Sequence, residues 1–75
     1  MDRELLSEKV RIERKLFFFS LKENHIGRFL RITEDVGGRR DAVIIPATGL
    51  ELVRDILNRT IETSNDTPFT STAKE

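Results

Sequence analysis

The spacing of hydrophobic positions follows one rule up to Pro46 and another after it. In Glu8–Arg14, Val10 and Ile12 alternate with Lys9, Arg11 and Glu13, the two-residue period of a strand with one apolar and one basic face. The segment Lys15–Glu23 keeps that period. Phe17, Phe19 and Leu21 share one side, while Leu16, Phe18, Ser20 and Lys22 share the other. The first set is uniformly large and apolar and is assigned to the core. Three consecutive phenylalanines therefore leave Phe18 on the opposite face. Asn24 and Gly27, both tolerant of positive φ, mark a hairpin loop. In the third strand Leu30 and Ile32 oppose Phe29, Arg31 and Thr33, and Gly37 and Gly38 turn the chain again. In the fourth, Val43 and Ile45 alternate with Ala42 and Ile44, and Pro46, which cannot donate to a ladder, ends it.

Beyond Pro46 the period becomes helical. Leu50, Val53, Leu57 and Ile61 recur at spacings of three and four, with Leu52 and Ile56 widening the stripe. Thr48, with Glu51 three residues later, fits a capping box that opens this helix. The pattern predicts strands at about 5–14, 15–23, 28–34 and 41–46 and a helix at about 49–62, one α+β unit over residues 1–63. The polar, aperiodic segment 64–75 reads as a disordered tail, in which Phe69 has no assigned role. One helix is expected to cover one face of the four-stranded antiparallel sheet, which leaves the other face solvated, binding or paired.

Composition sharpens this picture. A chain of 75 residues buries a small core, and with no cysteine it has neither a disulfide nor a thiolate metal site to support it. Sharing the core with a second copy is the remaining way to enlarge it. No apolar run approaches membrane-span length, and the N-terminal segment lacks the apolar stretch of a signal peptide. The expectation is a soluble cytoplasmic chain with no membrane partner, in the bacterial cytoplasm or nucleoid if prokaryotic, with the nucleus as the eukaryotic counterpart.

The formal net charge is zero, but it is unevenly spread. Residues 9–40 carry nine Lys/Arg against four Asp/Glu. Such a basic segment beside acidic ends is the pattern of a one-sided polyanion binder, or of an ordinary solvated surface whose charges cluster.

Together "KLFFFSLKENHIGRFLRITED" and "AVIIPATGLELVRDIL" resemble a repeat of the PUR family, the purine-rich-element binders, from about Leu5 to Ile61. The most specific parts are "LKEN", "GRFLRI" and "IPATGL…RDIL". The resemblance implies the Whirly-like ββββα fold, two repeats intertwined into one domain, and binding of single-stranded DNA or RNA. A lone repeat would pair with another molecule of itself, as a homodimer. The family's contacts imply roles here for Lys22 and Asn24, for a positive charge at Arg28 beside Gly27, and for Phe29. Where the family often carries a basic residue immediately before that glycine, this chain has Ile26.

Alternation alone assigns the open face two aromatics, Phe18 and Phe29, among the cations Lys9, Arg11, Lys22 and Arg31. Rings offer stacking surfaces to bases and cations meet phosphates, so the mixture suits single strands. The bland readings stand beside it. Phe18 could pack with Leu16 and Ile44 beneath a partner, and Phe29 could be a cross-strand packing residue. Lys22 and Arg31 could be solvated charges, and Asn24 could shape its turn while also binding. His25, the single histidine, has no second ligand at metal-site spacing, so neither metal nor cofactor is expected. Ser20 lies mid-strand without an elbow or oxyanion-hole signature, and the carboxylates are dispersed, which argues against an enzyme and against a small-molecule substrate. The alternative to nucleic-acid binding is a homodimeric protein-interaction module whose open face meets another protein through Phe18 and Ile44.

Overall fold

The computed structural model describes residues 2–69. Strands β1 (Arg3–Ile12), β2 (Lys15–Glu23), β3 (Arg28–Val36) and β4 (Arg39–Pro46) form one antiparallel sheet in the order β1-β2-β3-β4. A 3₁₀ turn, Ala47–Gly49, leads into helix α1 (Leu50–Asp66). The ββββα order expected from the hydrophobic period is the order observed.

Each connection follows from local chemistry. Ile12 pairs with Lys15, so Glu13 and Arg14 make a two-residue turn, and Glu13 takes the left-handed φ of 56°. β1 thus begins at Arg3 and ends at Ile12, two residues ahead of the expected 5–14. Neither turn residue belongs to the types that announce one. Between β2 and β3 the Asn24 side chain builds the loop, its Oδ1 accepting from the backbone N–H of Ile26 (2.9 Å) and Gly27 (3.1 Å). Between β3 and β4, Val36 pairs with Arg39 across Gly37 and Gly38, at φ 60° and 84°. Positive φ at both central residues is what a type I′ hairpin requires, and glycine supplies it without steric cost.

Residues directly opposite each other in an antiparallel ladder share a face. Val10 opposite Phe17, Leu6 opposite Leu21, Phe19 opposite Ile32, Leu21 opposite Leu30, Ile32 opposite Val43 and Leu30 opposite Ile45 collect the apolar residues on one side. An irregularity between Glu4 and Leu6 inserts Leu5 as an extra residue, which returns Leu6 to that side while Glu4 stays on the other.

Helix α1 departs from expectation in three ways. First, it is preceded by the 3₁₀ turn and has Gly49 as its N-cap, without a side-chain cap bond, so Thr48 and Glu51 form no capping box. Second, it runs on to Asp66, so Ser64–Asp66 are helical and not part of a tail. Thr67 is extended, as the residue before Pro68 is inclined to be, and the helix stops there. The remaining tail residues, 70–75, lie outside the described residues.

Third, α1 does not cover its own sheet. A three-residue 3₁₀ connection advances only about 6 Å, too little to bring a helix back across a sheet face. Its first residue, Leu50, borders the apolar side, closing a hollow with Leu6, Phe19, Leu21 and Leu30. The apolar stripe of the helix is left in solvent, with Ile56, Leu57 and Ile61 more than half exposed. None of the described residues is buried. The radius of gyration is 15.4 Å, against about 11 Å for a compact chain of this length. The chain by itself thus presents an uncovered apolar sheet face and an uncovered apolar helix.

Candidate nucleic-acid interface

The second face of the sheet carries the residues that alternation excluded from the core. The register places Lys9 directly opposite Phe18, and Lys22 directly opposite Phe29. Each ring therefore has a lysine as its cross-strand neighbour, with Cβ atoms about 5 Å apart. Arg11 lies opposite Leu16, and Arg31 lies between Ser20 and Ile44. Phe18 and Phe29 stand four ladder positions and one strand apart, about 14 Å. Two rings at that separation cannot hold one base between them, so each is a separate stacking surface.

Charge on this face is largely uncommitted. Among the described residues, no ion pair involves Lys9, Arg11, Lys22 or Arg31. The acid nearest by register is Glu4, opposite Lys22, and its carboxylate accepts a hydrogen bond from the Ser20 hydroxyl at 2.5 Å. Among the described residues, then, no carboxylate is paired with these cations for an approaching phosphate to displace.

Arg28 is placed differently. It pairs with Glu23 on the apolar side of the ladder, and its Nε donates to Glu23 Oε2 at 2.9 Å. Arg3 donates to Oε1 of the same carboxylate at 2.8 Å. Held mainly by the Arg28 hydrogen bond, Glu23 titrates below its ordinary value, with Arg3 adding to the shift. The structure thus brings Lys9, Arg11, Phe18, Lys22, Phe29 and Arg31 to one face, and it ties Arg28 down on the other, at the loop end of β3.

Asn24 sits at the end of the Lys22–Phe29 row. Its carbonyl oxygen is spent on the loop, and its amide nitrogen reaches Asp2 Oδ1 only at 3.5 Å. What it has to offer a ligand is therefore an N–H donor. His25 and Ile26 occupy the exposed tip of the loop, and no cluster among the described residues could hold a metal ion.

Sequence reasoning missed Arg40. Its guanidinium lies over the Phe18 ring, 5.1 Å from the centroid, and its Nε donates to Asp35 Oδ2 at 2.8 Å. The expected fourth strand began at residue 41, which left Arg40 in a turn. Counting outward from the two-glycine hairpin would have found it, since Asp35 must then oppose Arg40 and share the face of Leu16 and Phe18. In the sequence Pro46 and Thr48 carry only boundary signals, whereas in the structure Pro46 lies opposite Phe29 and both border an apolar hollow beside that ring.

The family model described as PurA ssDNA and RNA-binding protein matches residues 1–74. A protein of Arabidopsis thaliana, "Transcription factor Pur-alpha 1", is 42% identical over 57 residues, which cover 76% of this chain and 19% of that protein. The chain thus spans about a fifth of the length of that relative.

Proposed function

The chain belongs to the PurA family of single-stranded-DNA- and RNA-binding proteins, and from that premise we propose that it binds single-stranded nucleic acid across the open face of its sheet, as a homodimer. The observation that carries the binding reading is the pairing of each ring of the open face with a lysine that forms no ion pair among the described residues, Lys9 with Phe18 and Lys22 with Phe29. Bases stack on Phe29 and Phe18, while Lys9, Arg11, Lys22 and Arg31 meet the phosphates between them. The Asn24 amide offers a hydrogen bond at the end of the row, and Arg28 adds positive charge at the rim once Glu23 is satisfied by Arg3. DNA and RNA both fit this scheme, which reads rings and phosphates rather than base edges, and purine-rich strands, with their larger stacking faces, fit it well. It involves no catalytic step, metal or cofactor, and a cytoplasmic or nuclear location accords with it.

The homodimer rests on the uncovered surfaces. A sheet with one apolar face and a helix with one apolar stripe, both exposed in the same chain, complement each other in a second copy. Crossing the helices over each other's sheets would cover both and leave the Lys22–Phe29 face outward.

Titration of the protein with labelled single strands and with duplex of matched length, over a salt series, tests the reading. Single strands should bind more tightly, with log affinity falling linearly in log salt by about 0.7 per phosphate contact, and Lys22→Ala should flatten that slope. Binding to neither form would favour the protein-interaction module instead.

A further inference from the structure

Among the described residues, Arg40 is the one cation of the open face that is paired with a carboxylate, its Nε donating to Asp35 Oδ2 at 2.8 Å. The other oxygen of that carboxylate accepts from the Gly38 N–H at 3.1 Å, which anchors Asp35 in the β3–β4 hairpin. We infer that Arg40 reads the N7 and O6 acceptors of a guanine whose rings rest on Leu16 and Phe18. The inference rests on the single-strand reading above and adds to its rings and phosphates one contact to a base edge.

The register sets the site out in one row. Arg11 lies opposite Leu16, Leu16 opposite Asp35, and Asp35 opposite Arg40. Phe18 stands two residues further along β2, opposite Lys9. Leu16 and Phe18, both partly exposed, thus form an apolar floor on β2. Lys9 and Arg11 border it from β1, and Arg40 leans over it from β4. With neighbouring strands about 4.8 Å apart, β1 and β4 are separated by about 14 Å. One nucleotide fills that span once the side chains reach inward, its phosphate over β1 and its base edge toward β4. The floor begins four ladder positions from Phe29, so the site is separate from the Lys22–Phe29 row.

The surroundings of Arg40 favour a base over a phosphate. Asp35, only 17% exposed, offsets its charge, while Lys9 and Arg11 across the floor form no ion pair among the described residues and offer a phosphate more. The Phe18 ring, 5.1 Å from the guanidinium, and the Asp35 bond fix the plane of the cation. A fixed plane matters to a fork of donors and not to a point charge. Nε is taken, and neither Nη nitrogen makes a hydrogen bond among the described residues, so a pair of oriented donors is left over.

Guanine answers a donor pair best. It presents N7 and O6 as neighbouring acceptors, whereas adenine sets an amino donor beside N7 and cytosine offers an amino donor on the same edge. Thymine shows one carbonyl beside a methyl group there. A purine also covers more of the Leu16–Phe18 floor than a pyrimidine does. Arg39, the adjacent arginine, is no substitute, because it lies opposite Val36 on the other face of the sheet.

The test uses the full chain with thymine single strands of one length, unmodified or carrying one central guanine, 7-deazaguanine, adenine or cytosine. The guanine strand should bind tighter than every other by about fivefold or more, the discrimination of one bidentate contact. Arg40→Lys, which keeps the charge and loses the fork, should abolish that preference and leave the salt slope and the melting temperature unchanged. Asp35→Asn should also reduce the preference, but should steepen the salt slope by freeing a cation for phosphate. Arg39→Lys should keep the preference. Equal affinity for guanine and 7-deazaguanine in the unaltered protein, or a preference that survives Arg40→Lys, overturns the assignment. The single-strand reading survives that result if the all-thymine strand still binds with a salt slope that Lys22→Ala flattens. If the unaltered protein binds no strand, the single-strand reading fails and the assignment with it. Should Arg40→Lys lower the melting temperature, the 7-deazaguanine comparison in the unaltered protein decides alone.

Discussion

The guanidinium of Arg40 lies over the ring of Phe18, 5.1 Å from its centroid, and Asp35 holds it there through a 2.8 Å hydrogen bond. Phe18 and Phe29 are therefore unequal. Phe29 lies between Lys22 and Pro46, whereas one approach to Phe18 is taken by a planar cation on which a base can itself stack. Arg40→Ala should weaken single-strand binding by about 1 kcal/mol while moving the melting temperature little. Fluorescence anisotropy and a thermal melt on the same sample check both halves.

Glu23 links the two ends of the β2–β3 hairpin to β1 through Arg28 and Arg3. Its titration is lowered from the ordinary 4.5, first by the Arg28 hydrogen bond. A depressed carboxylate contributes stability that is present above the unfolded value and lost as pH falls through the folded one. The melting temperature should therefore decline on acidification below the ordinary glutamate range. Glu23→Gln should remove that part of the decline. A melt series in Glu23→Gln with the unaltered acid dependence would place the effect on another carboxylate.

Much of this architecture was legible because strand parity is a strong signal. Leu30 and Ile32 against Phe29 and Arg31 assigned both faces of β3 from residue order alone, and the two-glycine turn fixed the β3–β4 hairpin. The turn at Glu13 and Arg14 was not legible, since register with β2, rather than turn chemistry, imposes the left-handed φ at Glu13. Arg40 was lost for a related reason: the first residues of β4 are polar and resemble a loop until the hairpin is counted outward. The end of α1 was misplaced because Ser64–Asp66 are poor helix formers that nonetheless continue an established helix up to the residue before Pro68. The place of the helix relative to the sheet was hidden altogether, because the period reports an apolar stripe but not which sheet it meets.

Two uncovered apolar surfaces in one chain predict linkage between folding and association. Light scattering at micromolar concentration should give about twice the 8.7 kDa chain mass, and the melting temperature should rise with protein concentration, as it does for obligate dimers. Leu57→Asp, in the exposed helix stripe, should abolish the dimer and much of the folded population together. A stable folded monomer would remove the shared core.

The central claim is that Phe29 lies off the apolar face in order to hold a base. Affinity and stability measured together on Phe29→Ala and Phe19→Ala test it most directly. Phe29→Ala should lose about 1–3 kcal/mol of single-strand binding with little change in melting temperature. Phe19→Ala, on the opposite face, should cost about 3 kcal/mol or more of stability and affect binding only through the fold. Contradiction would come from Phe29→Ala melting as Phe19→Ala does, or from Phe29→Ala binding single strands with unaltered affinity.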